Sequence, residues 1–594
     1  MTETGAVIDR LCDMLLSERN EHGIWPGELS SSALSTATSV FALASVDREM
    51  YEPYIRSGME WLVNNRNRDG GWGDTGLCKS NLSTTLLVYS AMTASPPEND
   101  VIDSCERYIK NITGSLDPRD IVRAVLKAYG SDRTFSIPIL TMCALAGRLG
   151  KDGWKYVEGL PFELAVFPQE MFRWLRLPVV SYALPALIAI GQAGFYKRPP
   201  LNPLKRIARK LSCAKTLDVL SKIQPVNGGF LEAAPLTGFV LMSLAGCGHK
   251  DHIVSKKAVR FLLAGRRPDG SWPIDTNLAT WLTTMSVQAL GAESLGESSR
   301  KSILTWLLNQ QHRKTHPYTK ADPGGWAWTD LPGGVPDADD TPGALLAVKL
   351  LDPDAGHSCD AAEAAVSWLI RLQNRDGGIP TFCSGRGKLP FDKSCTDLTA
   401  HALAAWSIWK PFMKPVLKKS MKKAIKKGLA FIRKAQRHDG AWVPLWFGNE
   451  HVKDMNNPVY GTAKVLSYLT RMKADEISSM KDSLEKGLKW LINAQKEDGT
   501  WGGDEKAPSS IEETALALDA VASCAGLELI FSDFSGLIKN TLLKGRNTLI
   551  EITEKHDTLP ASPIGLYFAR LWYYEKLYPL IFSLSALRKI RQVI

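Results

Sequence analysis

The sequence predicts an all-α protein folded as two α/α barrels, each a ring of paired helices, and three observations carry that expectation. A motif recurs along the chain: a helical segment bearing Trp-Leu or Phe-Leu, three further residues, usually a glutamine, a short gap, and Asp-Gly-x-Trp. From Trp272 onward its ends, Trp272, Trp326, Phe382, Trp442 and Trp501, stand 54, 56, 60 and 59 residues apart, room for two helices and their loops. Strand-type alternation is weak throughout. The 594 residues, 44% hydrophobic and 23% charged, supply large cores and more than one domain. On periodicity alone an α-solenoid is the alternative.

Taken in order, the copies are NEHGIW ending at Trp25, GMEWLVNNRNRDGGW at Trp72, LSKIQPVNGGF at Phe230 and VRFLLAGRRPDGSW at Trp272. WLLNQQ with PGGW at Trp326, WLIRLQNRDGGIPTF at Phe382, GLAFIRKAQRHDGAW at Trp442 and GLKWLINAQKEDGTW at Trp501 follow. Each reads as a helix C-terminus. Asp-Gly makes a turn that tolerates positive φ, the glutamine amide bonds exposed backbone groups, and the tryptophan packs over the turn. Arg66 and Arg266 replace the glutamine in two copies, which predicts two weakened staples.

Leu177 to Phe195, LPVVSYALPALIAIGQAGF, carries no charge, and Pro178, Pro185, Gly191 and Gly194 interrupt it. Arg173 and Arg176 precede it, and Lys197, Arg198, Lys205, Arg206, Arg209 and Lys210 follow. An apolar surface rimmed by cations suits a protein that dips into one leaflet without crossing it. A buried core helix is the competing reading. Between Lys410 and Lys434 lie ten Lys or Arg and no acid, which accounts for the whole net charge of +10. Leu417, Met421, Ile425, Leu429 and Ile432 fall at helical spacing there, so the segment reads as an amphipathic helix with a solvated lysine face. An anionic membrane surface is the alternative partner, and nucleic acid lacks any supporting recognition motif. Ten scattered cysteines without a CxxC point to a reduced, cytoplasmic protein.

The stretch GGVPDADDTPGALLAV, Gly333 to Val348, crowds Asp337, Asp339 and Asp340 against an apolar run. Thr341-Pro342 reads as an N-cap with proline at the first helical position. Acids before a helix complement its dipole by about 0.3 to 1 kcal/mol, enough for one or two of them. Carboxylates about 5 Å apart repel by about 3 kcal/mol at an effective dielectric near 20, so one should hold its proton. The cluster is then a proton donor or a metal site. It lacks calcium-loop spacing, and the Thr-Pro-Gly that follows does not suit a magnesium-binding DDxxD helix.

The repeats resemble the QW motifs of squalene-hopene and oxidosqualene cyclases, and DADD has the form of the DxDD motif of class II terpene cyclases, which protonate an alkene or epoxide. The resemblance covers nearly the whole chain. It implies that residues 1–20 join residues 277–594 as the catalytic barrel, with residues 21–276 inserted as the second. It implies Asp339 as the acid, flanked by Asp337 and Asp340, and His401 of SCTDLTAHALAAW as a protonated partner that eases proton release. Tyr460 of NNPVYGTAKVL resembles the residue that links the acid to bulk water. Trp281, Trp328, Trp446, Tyr567 and Tyr574 resemble pocket aromatics that steady carbocations by about 0.5 to 2 kcal/mol each. Leu571 stands where the family usually has tyrosine.

The expected reaction closes a linear polyprenoid, squalene or a prenylated aromatic acid as in bacterial meroterpenoid cyclases, into fused rings with no metal and no cofactor. The expected setting is peripheral, on the inner face of a membrane, with a homodimer compatible. Two readings compete. A zinc-dependent prenyltransferase subunit of the same barrel type would need ligands, for which Asp392, Cys395 and His401 are nearest, at poor spacing. A non-enzymatic helical scaffold would bind partners through its lysine face.

Overall fold

The computed structural model describes residues 3–130, 133–527, 531–567 and 571–594. Two kinds of helix alternate along it. One kind is apolar and small all round, such as ALSTATSVFALASV, and buries nearly every residue. The other is amphipathic, such as the lysine-rich helix Pro415–Ala435, which buries Met421, Ala424, Ile425, Gly428, Leu429 and Ile432 and exposes Lys419, Lys422, Lys423, Lys426 and Lys427. Helices of the first kind can only be interior and those of the second only peripheral, so they assemble as inner and outer rings.

After α1 (Glu3–Ser17) come α2 (Ala33–Val46), α3 (Glu52–Asn64), α4 (Leu82–Ala91), α5 (Asn99–Thr113), α6 (Pro118–Tyr129) and α7 (Ser136–Leu145). The short α8 (Gln169–Trp174) follows, then α9 (Val179–Lys197), α10 (Pro203–Ile223), α11 (Ala234–Gly246) and α12 (Ile253–Ala264). Helices α2, α4, α7, α9 and α11 pack in succession and α11 returns to α2, closing a ring; α3, α5, α6, α10 and α12 lie outside it.

The second half runs α13 (Ala279–Leu290), α14 (Glu297–Gln310), α15 (Asp340–Leu351), α16 (Cys359–Leu372), α17 (Thr396–Trp409) and α18 (Pro415–Ala435). It continues through α19 (Pro458–Leu469), the short α20 (Ala474–Ile477), α21 (Lys481–Asn493), α22 (Ile511–Ala525), α23 (Ser535–Lys555) and α24 (Tyr578–Val593). Here α13, α15, α17, α19, α22 and α24 form the inner ring, and α1 packs outside α24 and α23 with the other outer helices. The fold is a double α/α barrel, not a solenoid.

The repeat turns have a common geometry. The tryptophan indole donates back to a carbonyl near the end of the preceding outer helix: Trp72 to Leu62, Trp272 to Leu262, Trp442 to Ile432 and Trp501 to Leu491, at 2.6–2.9 Å. The glutamine amide donates to its own turn and to the next outer helix, as Gln436 does to Gly440 and Ser483 at 2.7 and 2.8 Å. Arg66 and Arg266 keep the second link by donating to Ser104 and Ser57, so those staples are remade rather than lost. The main-chain N–H of the tryptophan position donates to a threonine of the next inner helix: Trp326 to Thr341, Trp442 to Thr462 and Trp501 to Thr514, at 2.9–3.0 Å. In the copy read as ending at Phe382, Ile379 takes the tryptophan position and binds Thr399, which frees Phe382 for another use.

Removing the staple at Gln436→Ala should cost about 1–3 kcal/mol, because two carbonyls lose their donor. Urea unfolding should show a lower midpoint, and an unchanged midpoint would contradict the role.

The rings close by exchanging turns. Trp25, which follows α1, donates to Thr283 of α13, and Trp272, which follows α12, donates to Thr36 of α2, pairs 258 and 236 residues apart. The apolar packing does not break at residue 276, since Tyr182, Leu217 and Phe230 share the core of the six-helix ring. We propose the divide near residue 276 on the strength of the exchanged turns.

The apolar run Leu177–Phe195 becomes inner helix α9. It is long and apolar enough to cross a membrane, but 67% of its apolar window is packed inside the protein. The core-helix reading holds for it. Exposed apolar side chains lie instead on its neighbours: Phe167, Trp174 at 82% exposure and Leu175 before it, and Leu201, Leu204, Ile207 and Leu211 on or beside α10 after it.

Candidate active site

Asp337, Asp339 and Asp340 stand at the start of α15, an inner helix whose N-terminal end faces the barrel interior. The helix begins at Asp340, so Thr341 is not its N-cap; its hydroxyl is taken by the Trp326 amide. The capping is done by Asp337, whose Oδ1 accepts from the N–H groups of Asp339 and Asp340 at 2.9 and 2.8 Å. Burial pushes the Asp337 carboxyl up to about 7 against those two bonds, and burial together with the Asp337 charge pushes Asp340 well up.

Asp339 is placed differently. Its side chain keeps 22% exposure, and its Oδ1 meets His401 Nδ1 of α17 at 2.9 Å. Oδ2 has no protein partner among the described residues and is left to face the interior space. His401 is held flat against Tyr468, with ring centroids 4.1 Å apart and planes 9° from parallel, while Trp281 meets it edge-on at 6.4 Å. Burial lowers the His401 pKa, Asp339 raises it, and the charges of Lys464 and Arg471 lower it again. The protonated histidine expected from the resemblance is thus opposed by its surroundings. The positive charge sits nearby on Lys464, which burial draws down to about 8 while Asp339 holds it up. Its Nζ lies 5.0–5.7 Å from the ring centroids of Phe582, Tyr460 and Tyr468.

Gly343 lies against Thr284, His401 and Trp281. A Cβ there would stand 3.1 Å from Thr284 Oγ1, 3.6 Å from His401 and 3.7 Å from Trp281. The unusual Pro-Gly after the acidic motif is where the histidine and an indole close over the helix.

The expected aromatics separate into groups. Trp281 donates its indole N–H to Tyr578 at 3.1 Å, and Tyr460 stacks on Phe447 at 4.0 Å close enough to feel the Asp339 charge, with no direct hydrogen bond to it. Trp328 and Trp446 both pack edge-on against Phe382, at 6.2 and 6.0 Å, and Trp446 donates to Thr381. Tyr567 begins no described side-chain contact: its backbone is in strand Gly565–Tyr567, and its side chain lies outside the described residues. Tyr574 has no described contact with Asp339. It is anchored through its backbone to Ser30, and its ring lies near Arg267 and Glu28, away from the acid. The neighbouring Tyr573 is the one that feels Asp339, and its hydroxyl is 3.5 Å from that of Tyr578.

Sequence reasoning missed Tyr468, Tyr573, Tyr578, Phe447 and Lys464. Only Lys464 left a signal, a lone lysine within the apolar helix PVYGTAKVLSYL. Asp392, weighed as a zinc ligand, instead accepts from the amides of Arg386 and Leu389, and Cys395 donates to Asp397. The arrangement sets a partly exposed carboxyl with one oxygen held by an imidazole beside a buried cation.

Comparison with known proteins bears on the family and the fold. The family model for the squalene-hopene cyclase C-terminal domain matches residues 1–100 and 277–591. A probable squalene-hopene cyclase of Sinorhizobium fredii is 26% identical over 671 residues, covering 98% of this chain and 96% of its own. A terpene cyclase-glycosyl transferase fusion protein of Humicola fuscoatra is 24% identical over 626 residues and covers 86% of this chain, which spans only 44% of the fusion. Among solved structures, ent-copalyl diphosphate synthase from Streptomyces platensis superposes with a TM-score of 0.58 at 16% identity over 99% of both chains, a likeness of fold.

Proposed function

The chain belongs to the squalene-hopene cyclase family of class II terpene cyclases, and from that premise we propose that it protonates the terminal isoprene unit of a linear polyprenoid and closes it into fused rings. The observation that carries this is the Asp339–His401 contact, with Asp339 22% exposed and its second carboxyl oxygen without a protein partner among the described residues.

In this mechanism the Nδ1–H of neutral His401 donates to Oδ1, which keeps the transferable proton on Oδ2. The π electrons of the terminal double bond take that proton and leave a tertiary cation. His401 and the Lys464 charge stabilise the carboxylate that remains. Each following double bond attacks the cation before it, and Trp281, Tyr460, Tyr573 and Tyr578 present faces that attract positive charge by about 0.5 to 2 kcal/mol apiece. Loss of a proton or capture of water ends the sequence, and Asp339 must then be reprotonated. Incubation with squalene, oxidosqualene, geranylgeranyl diphosphate and geranylgeranylated aromatic acids, read by mass spectrometry, tests the reading. Cyclic products isomeric with, or hydrates of, a substrate support it, and unchanged substrates throughout would refute it.

Peripheral membrane contact is part of the proposal, moved from α9 to its flanks. Trp174, Leu204 and Leu211 are exposed and lie among Arg173, Arg176, Lys205, Arg206 and Lys210, the pattern of an interfacial anchor. The triple replacement of Trp174, Leu204 and Leu211 by serine should leave unfolding unchanged and abolish flotation with anionic liposomes. Full flotation of the variant would contradict the assignment.

A further inference from the structure

A second cavity, of 270 Å³, lies outside the ring of aromatics described above and is cationic. Arg173 and Arg176 reach it from the end of α8, Lys320 from the loop after α14, and Arg371 and Arg375 from the end of α16, while Asp322 is the one carboxylate in its lining. Arg173 grips Asp322 with two bonds of 3.0 and 2.6 Å, and Arg371 approaches the same carboxylate at 3.5 Å. Arg176, Lys320 and Arg375 have no ion-pair partner among the described residues. Five cations facing one carboxylate repel one another, and nothing in the fold itself requires them there.

The walls are built to hold this arrangement. Arg176 and Lys320 both adopt left-handed backbone, φ 59° and 58°, the region that favours glycine. Arg176 does so at the C-terminal turn of α8, where Leu177 N–H donates back to Phe172 at 2.7 Å. Buried Gln169 ties α8 to the Tyr318 carbonyl at 2.8 Å, and the Tyr318 hydroxyl donates to Tyr182. The inner wall is Tyr182 and Phe382, with ring centroids 5.5 Å apart. The other sides of Phe382 meet Trp328 and Trp446, which continue the aromatic packing inward from the cations. Tyr182 also borders an apolar cavity of 360 Å³ that continues between α7, α9 and α11.

We propose that this cavity binds the head group of the substrate, and that the head group is a diphosphate: the chain acts on a polyprenyl diphosphate whose apolar tail passes the Tyr182–Phe382 layer towards Asp339 while the diphosphate stays with the arginines. This rests on the cyclase reading above and sharpens its substrate class. A multiply charged diphosphate matches the excess of cations, and arginine forks suit its oxygens, whereas squalene would leave Arg176, Lys320 and Arg375 unmatched. The diphosphate ester is retained: no C–O bond breaks, and the only proton moved is the one Asp339 delivers to the far end.

The test uses the whole protein and the double variant Arg176→Gln/Arg375→Gln, both exposed positions. Titration calorimetry with inorganic diphosphate should show binding to the wild type, weakened about 10- to 100-fold in the variant. With geranylgeranyl diphosphate the variant's KM should rise by a similar factor while kcat holds, and turnover of the uncharged geranylgeraniol should not respond to the substitutions. A wild type that cyclises squalene or geranylgeraniol but neither binds diphosphate nor uses its prenyl ester overturns the head-group site and leaves the cyclase reading standing. Diphosphate binding with no polyprenoid cyclised keeps the anion site and sinks the cyclase reading on which its substrate rests, overturning the proposal as stated. Variants that lose flotation with anionic vesicles while keeping KM would assign the cations to a lipid headgroup and overturn it as well.

Discussion

Replacing Asp339 by asparagine leaves a folded protein that cyclises at least about 10³-fold more slowly, the scale of a lost general acid in a reaction with no other proton source in reach. The change is nearly isosteric. The amide oxygen can still accept from His401 Nδ1, and the cap on α15 is untouched because Asp337 supplies it. What disappears is the acidic proton on Oδ2. Neither neighbour is placed to replace it: Asp337 and Asp340 are buried, at 3% and 4% exposure, and Asp337 Oδ1 is taken up by the cap. Circular dichroism and the urea midpoint should match the wild type while product formation is lost. Retained turnover would remove Asp339 from its role.

His401→Phe should cost about 10²-fold in turnover with little change in stability. A phenyl ring keeps the stack on Tyr468 and fills the same volume beside Gly343, so the packing that makes the residue a good core side chain survives. The lost group is the one N–H that steadies the Asp339 carboxylate after the proton leaves, and its removal raises the barrier to proton transfer. Ground-state binding of the polyprenoid does not involve it, so KM should stay within a few-fold. Equal losses of turnover and stability would make His401 an ordinary core residue.

The parts of this protein that could be read from the sequence are those encoded over short distances. The repeat spans some fifteen residues, so the tryptophan, glutamine and Asp-Gly of each turn are visible together, and the alternation of apolar and amphipathic helices follows from composition. The threonines that receive the turns at Trp442 and Trp501 lie 20 and 13 residues downstream in ordinary-looking inner helices, and only the three-dimensional contact distinguishes them. The same limit separates Tyr574 from Tyr573. In a short hairpin adjacent side chains point to opposite faces, so an alignment of motifs that slips by one residue selects the wrong tyrosine. Trp281 and Tyr578 are 297 residues apart and His401 and Asp339 are 62 apart, pairings that no local pattern encodes. α9 misleads for a different reason: a helix buried inside an α/α ring and one that enters a lipid leaflet have the same composition, and only the neighbours on α8 and α10 show which surface is exposed. Thr341 reads as a cap in the sequence because a proline follows it, whereas Asp337 caps the helix by accepting from the Asp339 and Asp340 N–H groups.

Turnover in D₂O is the measurement that bears most directly on the assignment of a protonating cyclase. With an accepted polyprenoid, the wild type should install one deuterium on the ring carbon next to the gem-dimethyl centre, where the terminal double bond received the proton, and Asp339→Asn should yield no such product. A cyclic product lacking deuterium at that carbon, or the same labelled product from Asp339→Asn at the wild-type rate, would contradict it.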